Sequence, residues 1–166
     1  MLDRHAERMC REARLICRAP LGAATQHGTF VAPQAFEIDR IDRLEREVFG
    51  PILHVIRYRA DRLDQVIDAI NGTGYGLTLG IHSRIDETVR HISRRLRVGN
   101  AYVNRNMIGA VVGVQPFGGE GLSGTGPKAG GPHYLPRFGI ERVLSVNTTA
   151  TGGNAALLSL QDDEPR

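Results

Sequence analysis

Two thiols and six imidazoles have the widest chemical reach in this sequence. Cys10 and Cys17 are too few for a disulfide framework and stand in no metal-binding spacing. His5, His27, His54, His82, His91 and His133 show no ligand spacing either. A thiol becomes a nucleophile when a base or nearby cations hold it as thiolate. Arg8, Arg11 and Arg18 stand near the two cysteines in sequence, but no base does. A small thiol enzyme therefore stays one reading, which slow alkylation of both thiols by iodoacetamide at neutral pH would end.

A second kind of chemistry, made by the backbone, is concentrated between Val114 and Gly126. Five of these thirteen residues are Gly, with Pro116 and Phe117 at the head of the run. Gly serves where the backbone takes positive φ or where another group comes close to it. A glycine turn headed by an aromatic suits a wall built against a ligand; an ordinary surface loop has the same composition. Gly119-Glu120-Gly121-Leu122-Ser123-Gly124 also fits G-x-G-x-x-G. That fingerprint cradles a phosphate only between a strand and the start of a helix. Here the chain runs on into Pro127, Gly130, Gly131 and Pro132, which cannot open a helix. No phosphate cradle is expected.

The frame that must position this loop can be read from periodicity. Leu2, Ala6, Met9 and Ala13 share one helical face over residues 2 to about 14, with no cap or leader before them. The natural polypeptide is therefore expected to start earlier. Leu15-Ile16-Cys17 reads as a short strand. Thr29-Phe30-Val31 and Ala35-Phe36-Glu37-Ile38 read as strand pieces split by Pro33, which predicts an edge position or a bulge. Ile52 to Tyr58 reads as a buried strand. Leu63, Val66, Ile67 and Ile70 form a helical stripe stopped near Asn71-Gly72-Thr73-Gly74. Leu77 to His82 is the next strand, Ile85, Val89, Ile92 and Leu96 the next stripe, and Ala101 to Asn104 the strand after it. Strand, helix, strand, helix, strand is the pattern of parallel βαβ units. Ligands in such sheets gather beyond the carboxyl ends of the strands, where the glycine loop begins. Glu141 to Asn147 alternates as an isolated strand, expected to pair with another sheet, for example on a second subunit. A last apolar run spans Ala155 to Leu160, and the polar tail Gln161 to Arg166 is expected to be disordered.

Composition narrows the classes. At 166 residues with 41% hydrophobic and 23% charged residues, the chain has the size and balance of one globular domain. No apolar run nears the roughly 20 residues of a membrane helix, and no signal peptide opens the chain, so a cytoplasmic location is the default. The net charge is +3, yet Lys128 is the single lysine among 21 basic residues, and the arginines are mixed with acids along the chain. With aromatics at 5%, a basic stripe with stacking platforms is missing, and nucleic-acid binding is not expected.

Four pieces then occur in order: Glu47-x-Phe49-Gly50-Pro51, Asn71 with Tyr75-Gly76-Leu77, Gly99-Asn100 with Val103-Asn104, and Pro116-Phe117-Gly118-Gly119 with Ser123-Gly124. Together they resemble the C-terminal part of the aldehyde dehydrogenase superfamily. Ile108 to Gly119 and Lys128-Ala129-Gly130-Gly131-Pro132 resemble L-glutamate γ-semialdehyde (1-pyrroline-5-carboxylate) dehydrogenases. The ending, from Leu144-Ser145-Val146-Asn147 to Gly152-Gly153-Asn154, is similar to the bifunctional proline utilization A type, which joins a flavin proline dehydrogenase to this activity.

The resemblance implies an α/β fold: a partial catalytic domain over residues 1–140, truncated on its N-terminal side, an oligomerisation strand and C-terminal segment over 141–160, and the tail 161–166. It implies NAD as cofactor, with FAD only in the absent proline dehydrogenase domain. It also implies L-glutamate γ-semialdehyde as substrate, a homo-oligomeric parent, and a cytoplasmic place with room for peripheral association at the inner membrane. Glu47 matches the glutamate that accepts hydrogen bonds from the nicotinamide ribose hydroxyls, a task suited to a carboxylate. Phe49 matches the aromatic near the nicotinamide. Gly109 and Ala110 match the loop whose amides hold the substrate α-carboxylate, and Phe117 matches the aromatic packed on its methylene chain. A solvated glutamate, a core Phe, a plain turn and a plug at the loop's base are the corresponding structural readings.

The match fails at the nucleophile. The family's cysteine stands in a glutamine-arginine-cysteine-serine context upstream of this region, and neither Cys10 nor Cys17 has it. The general-base glutamate and the dinucleotide-binding domain are missing as well. No catalytic residue is assigned, and these residues alone are expected to be inactive. A non-catalytic remnant that serves only assembly or binding is the competing reading.

Overall fold

The fold was described from a computed structural model covering residues 1–111, 113–147 and 150. Two units are described separately, residues 1–134 and residues 135–166.

The first unit opens with helix α1 (Leu2–Glu12), which buries His5, Ala6 and Met9 on the face anticipated from its periodicity. Ala13 turns extended and ends the helix while its amide still donates to Met9 O at 2.9 Å. The chain enters β1 (Arg14–Arg18), which runs antiparallel to β2 (Gln34–Glu37), and β2 runs parallel to β3 (Ile52–Val55). Met9 from α1 packs with Phe36 and Ile38 in the core of this layer, and Ala13, Leu44, Ile52 and Ile56 close around them. Phe36 and Met9 are fully buried.

Two expectations here are corrected. Residues 29–31 form no strand, and β2 is the central strand of its sheet. Pro33 sits just before β2, where its missing donor removes no ladder bond and its carbonyl accepts from the Ala19 amide. The bulge lies instead on the partner strand, between Leu15 and Cys17.

Helix α2 (Leu63–Gly72) buries Ile67 and stops at Gly74, whose φ of 76° a side-chain-bearing residue adopts with strain. Asn71 joins the ends of two helices: Nδ2 donates to Arg95 O at 2.9 Å and Oδ1 accepts from the Arg97 amide at 3.0 Å. After the short β4 (Tyr75–Gly76) come β5 (Thr78–Ile81), α3 (Asp86–Arg95) and β6 (Asn100–Val103), with β5 and β6 parallel. This second βαβ unit forms as the pattern required. The first does not close, because β3 pairs with β2 and not with β5. On α3 the expected stripe is shallow, since Leu96 is buried while Ile85 is exposed.

The glycine loop carries β7 (Glu120–Gly121), antiparallel to β4. Among the described residues no α-helix follows β7.

In the second unit Pro136 starts a single 3₁₀ turn (Pro136–Phe138). Residues 141–147 form no strand in the single chain, and Ile140, Val143 and Leu144 are exposed by 94%, 85% and 78%. The anticipated run 155–160 and tail 161–166 lie outside the described residues. Among the described residues no helix is long and apolar enough to cross a membrane.

Candidate functional site

Strand β6 fixes the glycine loop through two side chains on the same face of the strand. Asn100 Nδ2 donates to Pro116 O at 3.0 Å, and Asn100 Oδ1 accepts from the Gly118 amide at 3.3 Å. Two residues on, the buried Tyr102 donates its hydroxyl to Gly109 O at 3.2 Å. Between these anchors the backbone turns at Gly109 (φ 67°) and Gly113 (φ 79°). The Val111 amide donates to Gln115 Oε1 at 3.2 Å. The amides of Gly109 and Ala110 donate to no acceptor among the described residues. Open space surrounds the Gly109 Cα, so the positive φ and not crowding is what favours glycine there.

Further along, the loop crosses back over β4. The Leu122 amide donates to Gly74 O at 2.9 Å, and Ser123 Oγ accepts from the Gly76 amide at 3.1 Å. Phe117 is fixed by a two-way backbone bridge, its amide to Ala129 O at 3.1 Å and the Ala129 amide to Phe117 O at 2.9 Å. The residue as a whole is half-buried.

A cleft of about 620 Å³ opens where the outer turn of this loop faces α1 and β3. Glu47, Val48, His5, His54, Tyr75 and Ser123 are among its lining residues. Glu47 is exposed and makes no ion pair or hydrogen bond among the described residues, so its carboxylate is free to accept from a ligand. Of the five residues assigned from the sequence, Glu47 alone lines this cleft. Phe49 is 90% exposed, while Gly109, Ala110 and Phe117 belong to the β6 end of the loop.

The floor of the cleft holds a pair that sequence spacing did not reveal. His5 Nε2 and His54 Nε2 lie 3.1 Å apart with the rings edge to face at 72°. Burial, reinforced by the Arg8 charge, pushes both imidazoles below the ordinary 6.5, and His5 adds to the effect on His54. In this contact one Nε2 donates its N–H and the other accepts, so the accepting nitrogen carries no proton. The 49 residues that separate them in the chain left no local signal.

Neither thiol lines the cleft; both are free and exposed, and Cys10 Sγ accepts from Arg18 Nη2 at 3.3 Å. Among the described residues no three His, Cys, Asp or Glu side chains converge as metal ligands.

Comparison with known proteins places this geometry. Residues 3–142 match the aldehyde dehydrogenase family. The bifunctional protein PutA of Rhizobium meliloti is 58% identical over 137 residues, which is 82% of this chain and 11% of that protein. PutA of Escherichia coli is 55% identical over 150 residues, 87% of this chain and 11% of that protein. In structure, Bradyrhizobium japonicum proline utilization A superposes with a TM-score of 0.82 at 61% identity, over 90% of this chain and 15% of that one. A 1-pyrroline-5-carboxylate dehydrogenase from Thermus, solved with bound NAD, gives 0.72 at 38% identity over 82% of this chain and 26% of that one. The chain thus spans about a ninth of the length of the curated PutA relatives. With the family match running through the Glu47 cleft and the whole glycine loop, the chain belongs to the aldehyde dehydrogenase family and is of the PutA and 1-pyrroline-5-carboxylate dehydrogenase kind.

Proposed function

We propose that this chain is the C-terminal segment of an NAD-dependent L-glutamate γ-semialdehyde dehydrogenase of proline catabolism, supplying part of the cofactor and substrate sites. One observation carries the reading. Beyond the carboxyl end of β6, Tyr102 anchors through Gly109 O a turn whose Gly109 and Ala110 amides point to no protein acceptor among the described residues, while Asn100, at the start of the strand, holds the returning chain at Pro116 and Gly118. Successive free amides are an anion-binding concavity, and the substrate's α-carboxylate is the anion such a site takes. Phe117, locked through its backbone, then offers its ring to the methylene chain between carboxylate and aldehyde.

On the cofactor side, the unpaired Glu47 carboxylate suits the ribose hydroxyls, each bond strengthened by its charge. Phe49, exposed in this chain, gains its packing only against the nicotinamide or a segment outside these residues. NAD, when bound, accepts the hydride; this chain's part is to bind and orient. The thiolate that attacks the aldehyde and the base that hydrolyses the thioester come from outside the segment, because neither Cys10 nor Cys17 lines the site. The chain by itself therefore does not catalyse. Its flavin partner, if the parent is bifunctional, binds a domain that these residues do not include, and residues 141–160 serve assembly of the parent.

The test is a segment exchange. These residues replace the matched segment of Escherichia coli PutA, and NADH formation is followed with L-glutamate γ-semialdehyde and with a short aldehyde that lacks the α-carboxylate. An active chimaera that prefers the semialdehyde is expected, and Glu47→Gln should raise its KM for NAD roughly tenfold, the worth of one charge-assisted hydrogen bond. A folded chimaera without semialdehyde oxidation would overturn the assignment.

A further inference from the structure

Every backbone polar group around Phe117 is committed. Its own amide and carbonyl bridge to Ala129, the preceding carbonyl, Pro116 O, accepts from Asn100, and the following amide, Gly118 N, donates to the same carboxamide. Asn100 itself is anchored on the parallel ladder, its amide donating to Leu77 O at 3.0 Å. A carboxamide is the side chain that can do this, because it carries one donor face and one acceptor face in a single plane, the complement of a peptide's C=O and N–H. Asp lacks the donor, and Ala lacks both.

We propose that Asn100 is a positioning residue, whose carboxamide clamps the two peptide groups on either side of Phe117 and so sets where the ring meets the substrate's methylene chain. This rests on the substrate reading of Phe117 given above. The clamp transfers the rigidity of the β5–β6 ladder to the loop at Phe117. It acts on Phe117 specifically, since the Gly109–Ala110 turn has a separate anchor in Tyr102. A role in stability alone would weaken the whole loop; a positioning role separates its two halves.

The test uses the chain as it stands and L-glutamate, which carries both the α-carboxylate and the methylene chain, titrated in ¹H–¹⁵N and aromatic NMR spectra. In the unsubstituted chain the Gly109 and Ala110 amides and the Phe117 ring are expected to shift together. In Asn100→Ala the Phe117 response is lost and the affinity falls roughly tenfold, the scale of one hydrogen bond, while the Gly109 and Ala110 shifts persist. Asn100→Asp, which keeps the acceptor for Gly118 N, holds the fold if the Ala variant does not, and retains part of the Phe117 response. Unchanged Phe117 shifts and affinity in both variants would refute the positioning role while leaving the substrate site standing. Absence of any shift at Gly109 and Ala110 in the unsubstituted chain would instead remove the substrate reading, and the role of Asn100 with it.

Discussion

Gly99→Ala is the sharpest test of how the loop is held on the sheet. A Cβ on Gly99 would stand 2.7 Å from the Gly118 carbonyl carbon and 2.8 Å from Gly119 Cα, and nearer still to Gly118 O. Ordinary contact begins at 3.4 Å, so clearing the carbonyl carbon alone takes about 0.7 Å and clearing Gly118 O takes more, and no flexible side chain is there to give way. Overpacking of this kind costs about 1–3 kcal/mol. The displacement also takes Gly118 N and Pro116 O off Asn100, at about 1 kcal/mol for each bond. The sum is roughly 3 kcal/mol or more, which for a chain this long lowers Tm by about 6–12 °C. Thermal melts followed by circular dichroism would measure it beside two controls. Gly22 has φ −74° and nothing within 4 Å of a new Cβ, so Gly22→Ala should be neutral or stabilise by about 0.4–1 kcal/mol. Gly109→Ala meets no atom but keeps φ 67°, and should cost only the roughly 1–2 kcal/mol of left-handed backbone. If Gly99→Ala melts with Gly22→Ala, the loop does not pack on β6 as described, and the argument for its rigidity fails.

The histidine pair predicts a pH response of definite sign. Both folded-state pKa values lie below the ordinary 6.5, so the unfolded chain takes up protons first, and stability is full above pH 6.5 and falls as the pH drops below it. Urea titrations between about pH 5 and 8 should show this slope, and His54→Gln should flatten it; an equal slope in the variant would remove the pair as its cause. The carboxylates of Glu37 and Asp64, held low by Arg14 and His91 respectively, lose their contribution only below their ordinary 4.5 and 3.8, so the two windows separate. Phe36→Ala empties the centre of the α1–β2 core and should cost about 3–5 kcal/mol by the same melts, with a loss under 1 kcal/mol showing that the site collapses or was never filled.

What could be read in the sequence was what periodicity encodes. Ala6 and Met9 gave α1 its buried face, Ile67 sits under α2, and the strand–helix–strand run from Thr78 to Val103 forms as a parallel unit. The loop's place after β6 followed from that order. Periodicity carries no information on which strands become neighbours, so the pairing of β3 with β2 and its separation from β5 had to come from the structure. It is equally silent on the two-residue ladder between β4 and β7 and on the meeting of His5 with His54. The alternation of Glu141 to Asn147 predicted a strand, but a strand needs a partner edge, and the single chain offers none to residues 141–147 among those described. Phe49 and Glu47 were legible only as motif positions, which is why their surroundings came out so differently: one in a cleft, the other in solvent.

The glycines of the loop and of the strands beneath it divide into two sets. Gly99 against Gly118, Gly76 against the Arg97 carbonyl, and Gly119 against Ser123 and Gly124 are places where backbone meets backbone with no room for a Cβ. The first holds the loop at the start of β6, the second packs β4 on the chain that enters β6, and the third closes the loop on itself. Gly109, by contrast, has open space around it and a positive φ. Crowded glycines make the scaffold, and an uncrowded one makes the turn to which we assign the substrate's carboxylate. The two sets are joined by Asn100 and Tyr102, so a substitution in the first set should move the loop, and one at Gly109 should cost only the strain of its left-handed backbone and leave the loop in place.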